Sequence, residues 1–293
     1  MGARLEGKVA VITGGTSGIG ESTAELFVQQ GATVVLTGRS VEKGQAIADR
    51  LGDSAHYMEA DVSKEDDIAN TISETVSRFG KLDILFNNAG GPVGGTIDTI
   101  TSDDINYGVS LLLSSVILGI RYAVEPMKAN GGGVIINNTS VAALRYGQGN
   151  LLYSALKAGV THYTKLAGVE LGPMNIRVNC ISPGAIATPI FWGGSAIANT
   201  KSEEDNARKL EKLKANLAKA TPLPVAGLAE DIANGALFLA SEEGRLYKFT
   251  FNGTTFTQTY NPKIVNSSNT GKFSASPLRI GNHIYVGSEE GKL

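Results

Sequence analysis

Two residues of one predicted helix, Tyr153 and Lys157, have the types and spacing that acid–base chemistry requires. Apolar periodicity predicts a helix over 153–171, and residues four apart on a helix lie on one face. A phenol with its ordinary pKa of about 10 is a poor base at neutral pH, but a nearby ammonium ion favours the phenolate. Tyr153 could then exchange a proton with an alcohol or a carbonyl. A helix surface without chemistry is the alternative.

A serine upstream completes this candidate site. Ser140 follows the predicted strand over 133–137, and its hydroxyl could hold and polarise a substrate oxygen. We therefore predict Ser140, Tyr153 and Lys157 as catalytic residues. No histidine, cysteine or carboxylate cluster has metal-ligand spacing, so no metal site is predicted.

A glycine-rich loop near the start of the chain predicts a dinucleotide site. Thr13-Gly14-Gly15-Thr16-Ser17-Gly18-Ile19-Gly20 follows a predicted strand over 8–13 and opens a predicted helix over 20–30. Glycines permit a tight turn and let backbone N–H groups approach a pyrophosphate at the positive end of the helix. The glycine spacing differs from the usual GxGxxG, although the strand–turn–helix context is right. A purely structural turn is the alternative.

Strand and helix patterns alternate along the first 240 residues. The predicted strands cover 8–13, 33–37, 56–60, 84–87, 133–137 and 177–182. The predicted helices cover 20–30, 41–51, 65–79, 102–128 and 153–171. Uninterrupted valine and isoleucine runs between helices indicate a parallel sheet covered on both faces. The predicted fold is therefore α/β, a Rossmann-type doubly wound sheet.

Several motifs together resemble the short-chain dehydrogenase/reductase family over residues of about 5–243. They are the glycine loop, Asn87-Asn88-Ala89-Gly90, Ser140, Tyr153-x₃-Lys157 and Pro183-Gly184-x₃-Thr188, in the family's order and spacing. The resemblance implies an oxidoreductase that interconverts a secondary alcohol and a ketone by hydride transfer with NAD(P)(H), with Tyr153 as the acid/base.

The resemblance also implies a set of cofactor contacts. The residues expected at the pyrophosphate and ribose are Gly14, Thr16, Ser17, Gly18, Ile19 and Gly20. Those expected at the adenine are Asp61 and Val62, and those expected at the nicotinamide side are Asn88, Tyr153, Lys157, Ile186 and Thr188.

The end of the second strand bears on which cofactor is used. An acidic residue there would bind the ribose 2′-hydroxyl of NAD and repel a 2′-phosphate. The sequence reads Thr37-Gly38-Arg39-Ser40, without a carboxylate, and Arg39 can pair with a phosphate. We predict NADP(H) over NAD(H), the alternative being a solvated Arg39 beside NAD.

Two further features concern the substrate side. The family usually carries an asparagine in the helix before Ser140, and counting places Leu112 there, which puts the turnover rate in question. Ser110, Ser114 or Ser115 could substitute after a one-residue register change. The segment 189–221, with Phe191, Trp192, Gly193 and Gly194, predicts a mobile lid. With Val141, Ala142, Leu144 and Tyr146 it predicts an apolar pocket for a medium-sized alcohol or ketone.

The pattern changes after residue 243, which predicts two domains, 1–243 and 244–293. Alternating aromatic and polar residues with Asn/Gly turns indicate short antiparallel strands in the second. Ser241-Glu242-Glu243-Gly244-Arg245-Leu246 recurs as 288–293, and the repeat resembles that of pyrroloquinoline-quinone-type propellers, with chance recurrence as the alternative. This tail either supplies the family's last strand, for instance through 252–256, or replaces the family's native end.

Bulk properties limit partners and location. The net charge of −2 gives no basic field for nucleic acid or an anionic membrane. The longest apolar run, 111–120, is too short for a membrane span, and the start of the chain lacks a signal-peptide pattern. The single Cys180 fits a reducing compartment, so a cytoplasmic protein is expected. The resemblance implies a homo-oligomer, which the altered C-terminal end puts in question.

Two other functions compete with the enzyme. Leu112 and the altered end would suit a dinucleotide-binding protein with weak or no turnover. The β-rich tail would suit association with a partner through strand edges. The trio Ser140, Tyr153 and Lys157 favours the enzyme, because a pure binding protein has no need of it.

Overall fold

The computed structural model describes residues 3–220 and 224–241, together with the backbone of four short strands further along the chain. The chain divides into two compact units, Met1–Leu237 and Phe238–Leu293. The predicted division at 243/244 stays a prediction.

The first unit contains a six-stranded parallel sheet with the strand order β3-β2-β1-β4-β5-β6. Its strands are β1 (Val9–Ile12), β2 (Thr33–Gly38), β3 (Ala55–Glu59), β4 (Ile84–Asn87), β5 (Gly133–Asn138) and β6 (Ile176–Ile181). All the pairings within it are parallel. The predicted doubly wound α/β fold is thereby confirmed.

Helices cover both faces of this sheet. They are α1 (Gly18–Gln29), α2 (Val41–Leu51), α3 (Glu65–Phe79), α4 (Ser102–Val109), α5 (Ser115–Ala129), α6 (Leu151–Leu171), α7 (Gly194–Ala198), α8 (Glu203–Ala220) and α9 (Ala229–Ala240). α1 contacts α2, whereas α3 and α6 both contact α5. Short 3₁₀ turns span Val141–Ala143, Gly172–Met174 and Pro189–Trp192.

Burial of the central strands explains their apolar runs. Every residue of β1 and β4 is buried, as a sheet covered on both faces requires. One core cluster joins Val11, Leu85 and Ile135 of three strands to Ile120 and Val160 of the helices on one face. The strand order reverses between β1 and β4, so a crevice opens beyond their carboxyl ends. In sheets of this kind ligands bind at such a switch point.

The segment Ser102–Ala129 is longer than the apolar run 111–120 that the sequence analysis judged too short for a membrane span. It is one continuous 28-residue helical stretch whose most apolar window has a mean hydropathy of 1.6, so length and composition alone would let it cross a membrane. In the structure, 44% of that window is buried, and α5 packs against α3, β4 and β5. Arg121 on its outer face pairs with Glu65 at 2.8 Å. The segment serves as a core helix of the domain.

Part of the second unit is described as four three-residue strands: β7 (Phe249–Phe251), β8 (Phe256–Gln258), β9 (Leu278–Ile280) and β10 (His283–Tyr285). They pair antiparallel in the order β8-β7-β10-β9. The repeated segments 242–246 and 288–293 lie outside the described residues, as do residues 252–255 of the possible last strand. The propeller-like nature of the tail stays a prediction.

Candidate active site

The glycine loop lies between β1 and α1, at the switch point of the sheet. Gly14 and Gly18 have positive φ angles of 64° and 52°, a conformation that L side chains rarely adopt. A Cβ on Gly14 would lie 2.8 Å from the Ala89 backbone, so the loop also needs glycine for close packing. Ser17 precedes α1, and its side chain does not cap the helix. The loop therefore presents the positive end of α1 to the crevice.

Asn88 braces this loop from the end of β4. Its side-chain amide donates to the carbonyl oxygens of Thr13 at 3.0 Å and Gly14 at 3.2 Å. The Thr13 hydroxyl in turn accepts from the backbone N–H groups of Asn88 and Ala89, both at 3.0 Å. Asn88 thus fixes the shape of the loop, a role that the sequence analysis did not foresee. Thr13 was also missed, although a threonine ending a buried strand was a usable signal.

Asn138 links Asn88 to Lys157 of α6. Its side chain donates to Asn88 Oδ1 at 2.9 Å, and its backbone oxygen accepts from Lys157 Nζ at 2.7 Å. Asn138 Oδ1 is buried and accepts no hydrogen bond from the described residues. Sequence analysis missed Asn138, and its position at the end of β5, just before Ser140, was the available signal.

A second, fully buried set of amides fixes α6 against the sheet. Asn87 Nδ2 donates to Asn137 Oδ1 at 2.9 Å, and Asn137 Nδ2 donates to the Thr164 hydroxyl at 2.9 Å. These three residues expose 5% or less of their surface, so each bond forms in a low-dielectric interior, where breaking it is costly. The pair Tyr153 and Lys157 is therefore held in register with β4 and β5.

Lys157 is an almost fully buried amine. The residue is 4% exposed, and burial lowers its pKa to about 8. Its Nζ lies 5.8 Å from the centre of the Tyr153 ring. The amine of Lys157 therefore lies near the Tyr153 ring.

Tyr153 sits in the first turn of α6, which begins two residues earlier than predicted. Asn150 caps the helix by accepting from the Tyr153 N–H at 2.8 Å. Burial raises the pKa of the Tyr153 phenol, and a hydrogen bond with the Ser140 side chain acts in the opposite direction. Ser140 also accepts from the Ala142 N–H at 3.1 Å, which orients its hydroxyl. The structure therefore brings the predicted trio together.

One cleft of about 240 Å³ joins this trio's neighbourhood to the glycine loop. The predicted residues that line it are Gly14, Thr16, Ser17, Gly18, Ile19, Arg39, Asp61, Val62, Asn88, Tyr153, Lys157 and Thr188. Gly20 packs behind the loop, where a Cβ would meet the Gly14 carbonyl oxygen. Ile186 forms an isolated β-bridge with Gly227 and does not line the cleft. Ser140 does not line the cleft either, but its side chain interacts with Tyr153, which does. The cofactor roles of all these residues stay predictions.

Arg39 and Asp61 both line the cleft. Arg39 is exposed and follows Gly38, whose missing Cβ leaves room for Thr16. Burial alone would raise the pKa of Asp61, but the Ser63 hydroxyl and N–H, at 2.7 and 3.0 Å, lower it. The nearby Arg39 adds to this lowering. The cleft lining therefore includes a cation and an anion that act on each other.

Comparison with known proteins identifies the family. The short chain dehydrogenase family model matches residues 8–198. The chain belongs to the short-chain dehydrogenase/reductase family. It is 39% identical over 247 residues to Momilactone A synthase of Oryza sativa subsp. japonica, covering 83% of this chain and 86% of the relative. It is 40% identical over 245 residues to Tropinone reductase-like 2 of Erythroxylum coca (82% and 86%) and 38% identical over 245 residues to Secoisolariciresinol dehydrogenase of Forsythia intermedia (83% and 85%).

Family membership establishes the general class of reaction. NAD(P)-dependent oxidoreduction of a CH–OH group or a carbonyl on a small molecule follows from it. Among residues 3–220 and 224–241, no cluster of histidine, cysteine, aspartate or glutamate could hold a metal ion.

The helix before Ser140 departs from a regular α-helix at Leu112. Ser110–Ser114 forms a π-helical turn between α4 and α5, and Leu112 is 1% exposed. A Cβ on Gly90 would lie 3.3 Å from Leu112 and 3.8 Å from Lys157 Nζ, so both side chains approach one point. Ser115, one suggested substitute for the asparagine, donates instead to the Leu111 carbonyl of its own helix at 2.7 Å. Neither Ser110 nor Ser114 lines the cleft.

The substrate side is built differently from the predicted pocket. Leu144 and Tyr146 are 63% and 97% exposed, and neither lines the cleft. Besides the predicted residues, the cleft lining includes Gly90, Gly91, Pro92, Tyr107, Leu111, Ile190, Gly193, Gly194, Ser195 and Ala196. Trp192 faces a separate cavity. The apolar character was expected, but Tyr107 and Leu111 of the α4–α5 stretch replace the residues after Ser140.

Proposed function

We propose that the protein is an NADP(H)-dependent reductase that converts an apolar, medium-sized ketone to a secondary alcohol. The observation that carries the proposal is that Tyr153 and Lys157 line the same cleft as the glycine loop, with the Ser140 side chain close enough to lower the pKa of the Tyr153 phenol. When bound there, the nicotinamide would supply the hydride.

The residues at the switch point fit a dinucleotide. A Cβ added at Gly14 would lie 2.8 Å from the Ala89 Cα, and one added at Gly18 would lie 3.2 Å from Thr188, so glycine lets the loop pack closely against residues of the cleft. The first N–H groups of α1 suit a pyrophosphate, and the free Asn138 Oδ1 suits a hydroxyl donor. Residues for the loop, ribose and carboxamide sides therefore converge on one groove.

Tyr153 can supply the proton that reduction needs. Burial raises the pKa of its phenol, so the phenol keeps its proton at neutral pH and can donate it to the carbonyl oxygen as hydride arrives. Ser140 interacts with the phenol, and Lys157 as an ammonium ion would stabilise the tyrosinate that remains. Proton and hydride thereby reach opposite atoms of one carbonyl bond.

Arg39 supports NADP(H) as the cofactor. Its exposed guanidinium lines the cleft directly after β2, where it can pair with a 2′-phosphate in a fork geometry. The charge of Arg39 also lowers the pKa of Asp61, so the guanidinium lies near this carboxylate.

Cofactor binding tests the proposal. Titration of the full chain with NADPH and NADH should show tighter binding of NADPH, and Arg39→Ala should remove most of that preference. Lys128→Ala, an exposed lysine near the end of α5, is the matched control. Stronger binding of NADH than of NADPH by the unchanged protein would refute the proposed role of Arg39 but would leave the proposed reductase activity standing.

Turnover tests the chemistry separately. A panel of cyclic and aromatic ketones should be reduced at the expense of NADPH, and Tyr153→Phe should lower kcat at least about a hundredfold, the lower end of what general acid catalysis contributes. An unchanged kcat in Tyr153→Phe would exclude Tyr153 as the proton donor.

A dinucleotide-binding protein without useful turnover is the second candidate. Leu112 favours it, because this buried apolar side chain stands beside Lys157 where a polar group would help proton exchange. It predicts that NADPH binds normally while no ketone of the panel is reduced.

A further inference from the structure

One thin segment separates the cleft from a second, larger cavity. The turn Pro189–Trp192 and α7 place Ile190 and Gly193 in the cleft wall, while Trp192 lines a cavity of about 610 Å³ on the other side. Pro189 lines both. The second cavity opens between α1, α8 and α9, so this wall has open space behind it instead of a packed core.

Two consecutive glycines give this wall little stiffness of its own. Gly193 and Gly194 have φ angles of 104° and 74° and join the turn to α7. Glycine restricts backbone conformation less than any other residue, so contacts with neighbouring elements must hold the wall. α7 has only five residues, too few for a helix that is stable by itself.

Asn206 of α8 supplies such contacts at both ends of the wall. Its Oδ1 accepts from Trp192 Nε1 at 3.2 Å, and its Nδ2 donates to the Ala198 carbonyl at the end of α7 at 2.8 Å. One amide therefore binds the turn before the glycines and the helix after them. Asn206 and Trp192 are half-buried, which shields both bonds from water.

We infer that Trp192 and Asn206 form a latch that positions the substrate-facing wall, Ile190–Ala196, over the cleft. Neither residue lines the cleft, so both are positioning residues for the reductase proposed above, on which this inference rests for the identity of the ligand. Breaking the latch lets the wall move into the second cavity, which weakens binding of the ketone more than that of the cofactor.

Each bond of the latch can be removed separately. Trp192→Phe removes the indole donor and keeps the bond between Asn206 and Ala198. Asn206→Asp keeps an acceptor for the indole and removes the donor to Ala198. Asn234→Ala is the matched control, because Asn234 lines the same cavity but its amide donates to Glu230 within α9 at 2.8 Å.

Kinetics gives the first readout. Each latch variant should raise KM for the ketone about threefold to tenfold, the range that one hydrogen bond supports, with kcat and the Kd for NADPH within about twofold. KM for the ketone in the double variant Trp192→Phe/Asn206→Asp should be close to that of the single variants, because both bonds hold the same wall. Equal loss of ketone and cofactor affinity, or no change in KM, would overturn the latch.

Fluorescence gives a readout that needs no activity. Trp192 is the single tryptophan of the chain, so its emission reports on the latch alone. Asn206→Ala, which removes both bonds of the latch, should at least double the acrylamide quenching constant of the full-length protein, while Asn234→Ala leaves it unchanged. Unchanged quenching in Asn206→Ala would refute the latch even if no ketone is reduced. Failure of the reductase itself would appear differently, as absent NADPH binding or turnover in the unchanged protein.

Discussion

Replacing Lys157 by methionine should stabilise the fold while abolishing turnover. The lysine is 4% exposed, and its pKa falls from the ordinary 10.5 to about 8, with burial as the cause. A methionine of similar length fills the same space without a charge to desolvate. A buried functional charge of this kind costs stability, as sites built for chemistry often do.

The magnitude follows from the two pKa values. The folded protein binds fewer protons than the unfolded chain between pH 8 and 10.5, so this group makes stability rise with pH across that window. Linkage gives a cost of about 3 kcal/mol at pH 7 and about 1.5 kcal/mol at pH 9.5 for the native lysine. Methionine removes that cost but leaves the Asn138 carbonyl without its donor, a loss of about 1–2 kcal/mol. Lys157→Met should therefore gain about 1–2 kcal/mol at pH 7 and almost nothing at pH 9.5.

Urea unfolding at several pH values measures this directly. The difference in unfolding free energy between Lys157→Met and the unchanged protein should shrink by roughly 2 kcal/mol from pH 7 to 9.5. The lost hydrogen bond is nearly independent of pH and cancels in this comparison. Lys165→Met, an exposed lysine of the same helix, should show no such trend. If the two pH curves ran parallel for Lys157→Met, the buried-charge reasoning would be refuted.

Three further predictions concern the cleft. Gly20→Ala places a methyl group against the Gly14 carbonyl and 2.6 Å from Asn88 Nδ2, so NADPH affinity should fall more than about tenfold by titration, whereas Gly172→Ala, in open space, should not change it. Leu112→Asn gives the Lys157 ammonium a second polar neighbour and should raise its pKa and kcat, seen as a shifted pH–rate profile that Leu112→Ala does not reproduce. The kcat/KM for ketone reduction should fall as pH rises through about 8, because Lys157 loses its proton there; a flat profile to pH 10 would exclude a need for the ammonium.

Much of the fold was predictable because buried parallel strands and amphipathic helices leave periodic signals in sequence. The predicted bounds of α2, α3 and β4 match the structure, and α6 differs by two residues because Asn150 supplies the cap. The cleft was predictable for a related reason. Glycines with positive φ and polar residues at strand ends identify the positions near the switch point without any knowledge of contacts.

The parts that sequence could not predict depend on tertiary contacts. Lys157 donates to a backbone oxygen, and a backbone group carries no residue-type signal. Trp192 and Leu144 were assigned to the pocket by their apolar character, but which face of a short turn a side chain occupies depends on packing. The π turn at Ser110–Ser114 was likewise hidden, since its residues continue the helical pattern.

A chain of amides makes the geometry of the glycine loop and that of the Lys157 amine interdependent. The Gly14 carbonyl is held by Asn88, Asn88 is held by the Asn138 side chain, and the Asn138 backbone oxygen receives Lys157 Nζ. Each link is buried or half-buried, so none is readily replaced by water. A ligand that displaces the loop therefore acts on the surroundings of Lys157 through two side chains, without touching the lysine. Because Lys157 Nζ lies 5.8 Å from the centre of the Tyr153 ring, a change in the loop that would bind the cofactor can also change the surroundings of Tyr153.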